Sequence, residues 1–219
     1  MQIKNLIFDF DGTLADSRQC SVLATQQAFI EFGLKKPSEK QIEYYMGVPI
    51  EVSFKKMAAT GFTDESFEKL LTIFRQTYKN LENKTLSTFP NIPNVLESIA
   101  SSGKQLFVVS SKKSDVLLRN LQTLNINIYF KDIIGSDKVT HYKPHPEGIL
   151  KLMDFYQLNA DETVMIGDTI FDLQMAKSAN VFSCGVTWGS HSKEALQEER
   201  STFLVDEVNQ LAMLEELWL

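Results

Sequence analysis

Short, almost continuously apolar runs recur along this chain, and each stops at small or acidic residues. The first covers 3–8 and runs into Asp9 to Gly12. Others cover 105–109, 132–134, 163–166 and 181–186, stopping at Ser110-Ser111, Gly135-Ser136, Gly167-Asp168 and Thr187-Trp188-Gly189. A short run without polar alternation predicts a parallel strand buried on both faces. Helical periodicity fills the intervals, over 93–102 with Gly103 as its stop, then 114–124, 147–155, 172–179 and 193–199. The alternation predicts an α/β fold, a doubly wound, Rossmann-like parallel sheet with right-handed crossovers. Ligands of such sheets bind beyond the carboxyl ends of the strands, where the punctuating residues would converge.

The rhythm breaks between 15 and 86. Candidate helices over 17–32, 38–45, 49–59 and 64–83 follow one another without a convincing buried strand, separated by Gly33, Pro37, Gly47 and Gly61. The chain therefore divides into an α/β core, 1–14 with 87–219, and an inserted α-helical domain, 15–86. Residues 211–219 read as an amphipathic helix that docks on the core.

Composition adds exclusions. At 219 residues the chain can bury a substantial core. A formal charge of −6 gives no electrostatic reason to expect nucleic acid or an anionic membrane as partner. No apolar stretch approaches the ~18 residues of a membrane span, and the opening residues lack the regions of a signal peptide. Cys20 and Cys184 belong to no Cys-x-x-Cys pair and read as buried, reduced thiols, which points to a cytoplasmic location. His141, His145 and His191 show no metal-ligand spacing and read as loop residues. A monomer or weak homodimer is the default.

Four segments carry chemistry. Asp9 and Asp11 flank Phe10, so in extended backbone their carboxylates share a face where Gly12 lets the chain turn, and a divalent cation would relieve their repulsion. Asp-Gly is also a common turn dipeptide. Asp168 follows another apolar run, with Asp172 one helical turn further on, where it can equally serve as a first-turn acid. Lys143 lies in the proline-fixed loop His141-Tyr142-Lys143-Pro144-His145-Pro146-Glu147. Ser110 and Ser111 can offer donors to phosphate oxygens or simply cap a helix.

Together these segments resemble the four signature motifs of the haloacid dehalogenase superfamily: Asp9-Phe10-Asp11-Gly12-Thr13-Leu14 followed by Asp16-Ser17, then Ser110, then Lys143-Pro144-His145-Pro146-Glu147, then Gly167 to Asp172. Gly185-Val186-Thr187-Trp188-Gly189 further resembles the phosphoglycolate-phosphatase-like group, whose mobile helical cap the insertion would be. Ser111 is a departure, since close relatives often carry Asn there.

The resemblance implies a Mg²⁺-dependent phosphatase acting on a small phosphorylated metabolite, of phosphoglycolate or sugar-phosphate type. Asp9 would be nucleophile and metal ligand. Asp11 would be acid and base, with its backbone carbonyl on the metal, and Asp168 a further ligand. Asp172 would orient a metal-bound water or Lys143, Lys143 would pair with Asp9 and the phosphoryl oxygens, and Thr13 would assist Asp11 or the phosphate. Ser110 and Ser111 complete the phosphate site. In the cap, Arg18, Tyr45, Lys55 and Lys56 are candidate specificity residues, although a solvated or packing role is the plainer reading of each. Lys112 and Lys113 read as a solvated pair at a helix start. Within the same chemistry a sugar-phosphate mutase or a pyrophosphatase stands as an alternative, and a noncatalytic binding protein as a remoter one. A dehalogenase or phosphonate hydrolase is disfavoured by Asp11, which those relatives lack.

Overall fold

The computed structural model describes residues 2–58, 60–214 and 216. Its centre is β1 (Asn5–Phe8), all four residues of which are buried. On one side lies β4 (Gln105–Val109) and then β5 (Asp132–Ile134); on the other lie β6 (Thr163–Gly167), β7 (Phe182–Val186) and β8 (Phe203–Val205). Every neighbouring pair is parallel. The absence of polar alternation in β1 has a direct cause. Leu6 and Phe8 pack into the core on one face of the sheet, Ile7 into the core on the other. Full burial of such side chains stabilises by about 1.5–3 kcal/mol each.

The connections explain where the site lies. From β1 the chain moves outward to β4 and β5, then returns to the far side of β1 with β6. The carboxyl ends of β1 and β6 therefore flank the point where strand order reverses, the usual crevice of an open α/β sheet. Helices α5 (Ile92–Ser101), α6 (Ser114–Thr123), α7 (Glu147–Tyr156), α8 (Ile170–Ser178) and α9 (Lys193–Glu198) make the connections within the sheet. β8 is absent from the sequence reading, since an edge strand of three residues leaves almost no pattern.

Two further strands frame the helical segment: β2 (Ala15–Asp16) and β3 (Ser87–Thr88) form an antiparallel ribbon where the chain leaves the sheet and re-enters it. Between them stand α1 (Arg18–Phe32), α2 (Glu39–Tyr44), α3 (Ile50–Ala58) and α4 (Asp64–Thr85). Residue 59, expected to end the third helix, lies outside the described residues. Gly33 stops α1 in the left-handed conformation, φ 84°. Thr63 caps α4 by accepting the Ser66 N–H. The segment has its own core, in which Phe29, Phe54 and Phe74 stack edge to face at 5.2 and 5.0 Å. In place of the expected terminal helix over 211–219, a 3₁₀ turn covers Val208–Met213 with Leu211 buried; residues 215 and 217–219 lie outside the described residues. Among the described residues no helix is long and apolar enough to cross a membrane. Cys20 and Cys184 are buried free thiols, as expected.

Candidate active site

β1 delivers Asp9 to the crevice. Its N–H bonds the Ile166 carbonyl at 2.8 Å, continuing the strand pairing, and the residue is only 2% exposed. Oδ1 accepts the Phe10 N–H at 2.7 Å and meets Lys143 Nζ at 2.8 Å. Oδ2 is buried with no hydrogen-bond partner. A buried carboxylate oxygen left bare is costly, so this atom marks a place for a ligand.

Asp168 ends β6. Thr13 Oγ1 donates to its Oδ1 at 2.9 Å and the Ser190 N–H to its Oδ2 at 2.7 Å. Two glycines make room for it: a Cβ on Gly12 would lie 2.2 Å from Asp168 Oδ2, and one on Gly189 2.2 Å from Asp168 Cβ. Gly12 also has φ +82°, where a side chain is strained. Asp172, in the first turn of α8, performs both roles weighed from sequence. Its Oδ2 accepts the Thr169 N–H and hydroxyl at 3.2 and 2.6 Å, closing a capping box, while Oδ1 accepts Lys143 Nζ at 2.7 Å. The loop bearing Lys143 is pinned by Glu147, whose carboxylate accepts the backbone N–H groups of Thr140 and His141 at 3.0 and 2.8 Å.

Asp9, Asp168 and Asp172 thus present carboxylate oxygens within 4.8 Å of one another, all buried, against the single ammonium of Lys143. The electrostatics follow. Burial first, then repulsion from Asp172 and Asp168, holds the Asp9 carboxyl well above the usual carboxylate range despite Lys143. Burial and Asp172 push Asp168 up to about 6, opposed by the Ser190 and Thr13 hydrogen bonds. Burial alone would lower Lys143, but Asp172 and Asp9 outweigh it and raise its pKa. Three buried carboxylates against one ammonium fit a divalent cation held by oxygen ligands.

Asp11 is not among these clustered carboxylates, although it lines the same cavity as Asp9. Lys112 takes it, Nζ to Oδ1 at 2.9 Å. The same ammonium donates to Tyr78 Oη at 2.8 Å and Asn120 Oδ1 at 3.1 Å, and lies 4.9 and 4.6 Å from the Phe10 and Tyr78 ring centres. Its side chain is 12% exposed, so the expectation of a solvated lysine fails. Behind it, buried Glu82 on α4 binds Arg119 at 2.7 and 3.0 Å and Asn120 at 2.7 Å. This network was invisible in sequence because it joins residues from the loops after β1 and β4 to α4 and α6.

Other expected residues separate. Ser110 lines the cavity beside Asp9 and its hydroxyl accepts the Lys112 N–H at 3.2 Å. Ser111 lines it as well and donates to the Gly47 carbonyl at 2.6 Å, tying the sheet end to the helical segment. Thr13, expected near Asp11 or the phosphate, is fully buried and spends its hydroxyl on Asp168. A cavity of about 500 Å³ opens above Asp9 and Asp11; of the four helical-segment candidates only Tyr45 lines it. Arg18 pairs with Glu43 and Glu39, Lys55 lies over the Phe67 ring, and Lys56 over that of Tyr45. Arg75, Tyr78 and Lys79 line it unexpectedly, and their i, i+3, i+4 spacing on α4 was the available signal.

The histidines all lie in loops, as expected. His141 and His145 stack at 4.5 Å and, with Glu147, form an exposed group that has the geometry to hold a metal ion. His191 is in a loop but half-buried, its Nδ1 accepting the Ile170 N–H at 3.2 Å at the start of α8. Burial lowers its pKa.

The family model described as haloacid dehalogenase-like hydrolase matches residues 6–186. The chain belongs to the haloacid dehalogenase-like hydrolases. It is 32% identical to the phosphoglycolate phosphatase of Aquifex aeolicus over 186 residues, 84% of each chain. It is 26% identical to pyrophosphatase PpaX of Oceanobacillus iheyensis over 211 residues, 96% of each chain. The solved structure of a haloacid dehalogenase-like family hydrolase from Streptococcus pneumoniae matches with TM-score 0.83 at 28% identity, covering 98% of both chains. These likenesses agree with the phosphoglycolate-phosphatase-like group and with the α/β core expected from the motifs.

Proposed function

We propose that this haloacid dehalogenase-like hydrolase is a Mg²⁺-dependent phosphatase that hydrolyses a small phosphate monoester through an aspartyl-phosphate on Asp9. The observation that carries the reading is the bare, buried Oδ2 of Asp9 beside Lys143 and the cavity. Oδ2 attacks phosphorus and the bond from phosphorus to the ester oxygen breaks. Asp11 acts in its acid form, with Oδ1 held by Lys112 and the proton on the other oxygen, and gives that proton to the departing alcohol. It then takes one from the water that attacks the acyl phosphate, which releases inorganic phosphate and restores Asp9. Lys112 holds the Asp11 carboxylate for both transfers. Lys143, fixed by Asp172, offsets the anionic charge of nucleophile and phosphoryl group.

The cation would be held by Asp9, Asp168 and the backbone carbonyl of Asp11, with Asp172 behind them. When bound it supplies countercharge for an anion meeting an anion, each unit pair at ~4 Å being worth about 4 kcal/mol at an effective dielectric near ~20. In this reading residues 15–86 are a cap that opens to admit substrate, and 1–14 with 87–219 are the catalytic core. Ser110, with its neighbouring backbone, takes phosphoryl oxygens. The test is Mg²⁺-dependent phosphate release from a generic monoester by the native chain and Asp9→Asn. Loss of turnover in the variant with retained fold is expected; undiminished turnover would overturn the assignment.

A further inference from the structure

An ammonium has three protons to donate, and Lys112 places one on each of three acceptors: Asp11 Oδ1 at 2.9 Å, Tyr78 Oη at 2.8 Å and Asn120 Oδ1 at 3.1 Å. With all three bonded, the ammonium has one favoured seat beneath Asp11. What lies behind it keeps these acceptors in place. Burial first, then the charge of Asp11, holds the Tyr78 phenol well above its usual range, so its oxygen stays a neutral acceptor. Asn120 can turn either its oxygen or its NH₂ toward Lys112, and Glu82 decides which. That carboxylate, held by Arg119 at 2.7 and 3.0 Å, only accepts; it draws Asn120 Nδ2 to 2.7 Å and so turns Oδ1 toward the ammonium.

Glu82 and Asn120 are only 3% and 0% exposed, and neither is among the described residues that line the cavity. Apolar packing often stabilises a fold as well as a buried ion pair does, so stability alone gives little reason for this one. Orientation gives a better one. We infer that Glu82, Asn120 and Tyr78 are positioning residues for the acid and base Asp11, acting through Lys112. Glu82 and Tyr78 stand on α4, whereas Asp11, Lys112 and Asn120 belong to the sheet and its own helices. The helical segment thereby takes part in proton transfer besides lining the cavity. The inference rests on the phosphatase reading above and extends it.

The experiment uses what a misplaced acid does to different leaving groups. An alkoxide needs the proton of Asp11 as it departs, whereas p-nitrophenolate leaves without it. With Mg²⁺, kcat/KM is measured on p-nitrophenyl phosphate and on the best alkyl ester among glycerol 1-phosphate, glucose 6-phosphate and phosphoglycolate. The native chain, Glu82→Gln and Tyr78→Phe are compared. Each variant weakens one of the three bonds that seat Lys112, and one hydrogen bond is worth about fivefold. The rate on the alkyl ester should therefore fall by about fivefold or more relative to the rate on p-nitrophenyl phosphate, in both variants. That ratio does not depend on how much of a variant is folded, so lost stability leaves the test intact. An unchanged ratio in either variant overturns the inference and leaves the phosphatase reading standing. A native chain active on the aryl ester alone has no working acid to position, which overturns the inference too. A native chain that hydrolyses no ester overturns both.

Discussion

Replacing Lys112 by Met removes an ammonium while keeping most of the side-chain volume, and the structure allows the consequence to be worked out. At 2.9 Å from Asp11, the charge pair is worth about 6 kcal/mol of Coulomb energy at an effective dielectric near ~20. Most of that is offset by the desolvation of two partly buried groups. What remains is a charge-assisted hydrogen bond of about 1.5–3 kcal/mol holding the Asp11 carboxylate in one orientation. If only that orientation transfers a proton, losing the bond lowers the competent fraction by about 10- to 100-fold. Lys112→Met should therefore cut kcat by that factor while KM and inhibition by inorganic phosphate change by less than about threefold. Lys112→Arg, which keeps the charge, should recover part of the loss. The stranded acceptors on Tyr78 and Asn120 should appear separately, as roughly 1–2 kcal/mol of lost stability in urea unfolding. A variant with kcat near the native value, or with its loss confined to KM and phosphate affinity, would refute the positioning role and point to direct phosphate binding.

Three further outcomes follow from the buried charges. Lys143→Met leaves Asp9 and Asp172 without the ammonium now at 2.8 and 2.7 Å and should cost about 3–5 kcal/mol in urea unfolding, with activity abolished. Gly12→Ala drives a Cβ into Asp168 at φ +82°; a Tm about 5 °C lower or more, with a reduced Mg²⁺-induced rise, is expected in a thermal scan. Asp168 titrates near about 6 when folded against 3.8 ordinarily, so between those pH values the folded state binds the extra proton. Stability of the metal-free protein should then fall as pH rises through that window, by up to about 3 kcal/mol from this group. Mg²⁺ competes with the same proton, so its stabilisation should be larger near neutral pH than at pH ~5; an equal thermal shift at both would count against Asp168 as a ligand.

Legibility in the sequence tracked how local each feature is. β1 and β6 were readable because strands buried on both faces must be apolar throughout, and their terminal aspartates stand out against that background. Asp172 was readable twice over, since one position in a helix's first turn serves both the cap and the ammonium. The side-chain partners of Asp11 were not. It lines the same cavity as Asp9, but its ammonium partner is Lys112, 101 residues away, which no local spacing shows. Tyr78 and Glu82 enter that network from α4, whose placement depends on packing within the helical segment, and no spacing encodes it. Of the four candidates in the helical segment only Tyr45 lines the cavity, because that lining depends on how the helices pack, which no spacing shows. β8 and the β2–β3 ribbon are too short to show periodicity.

The central claim is that Asp9 becomes phosphorylated during turnover. Quenching the reaction in acid, reducing the trapped acyl phosphate with borohydride and sequencing peptides by mass spectrometry tests it directly. The account predicts conversion of Asp9 to homoserine, dependent on both substrate and Mg²⁺. Reduction at another carboxylate, or turnover with no modified Asp9 at any quench time, would contradict it.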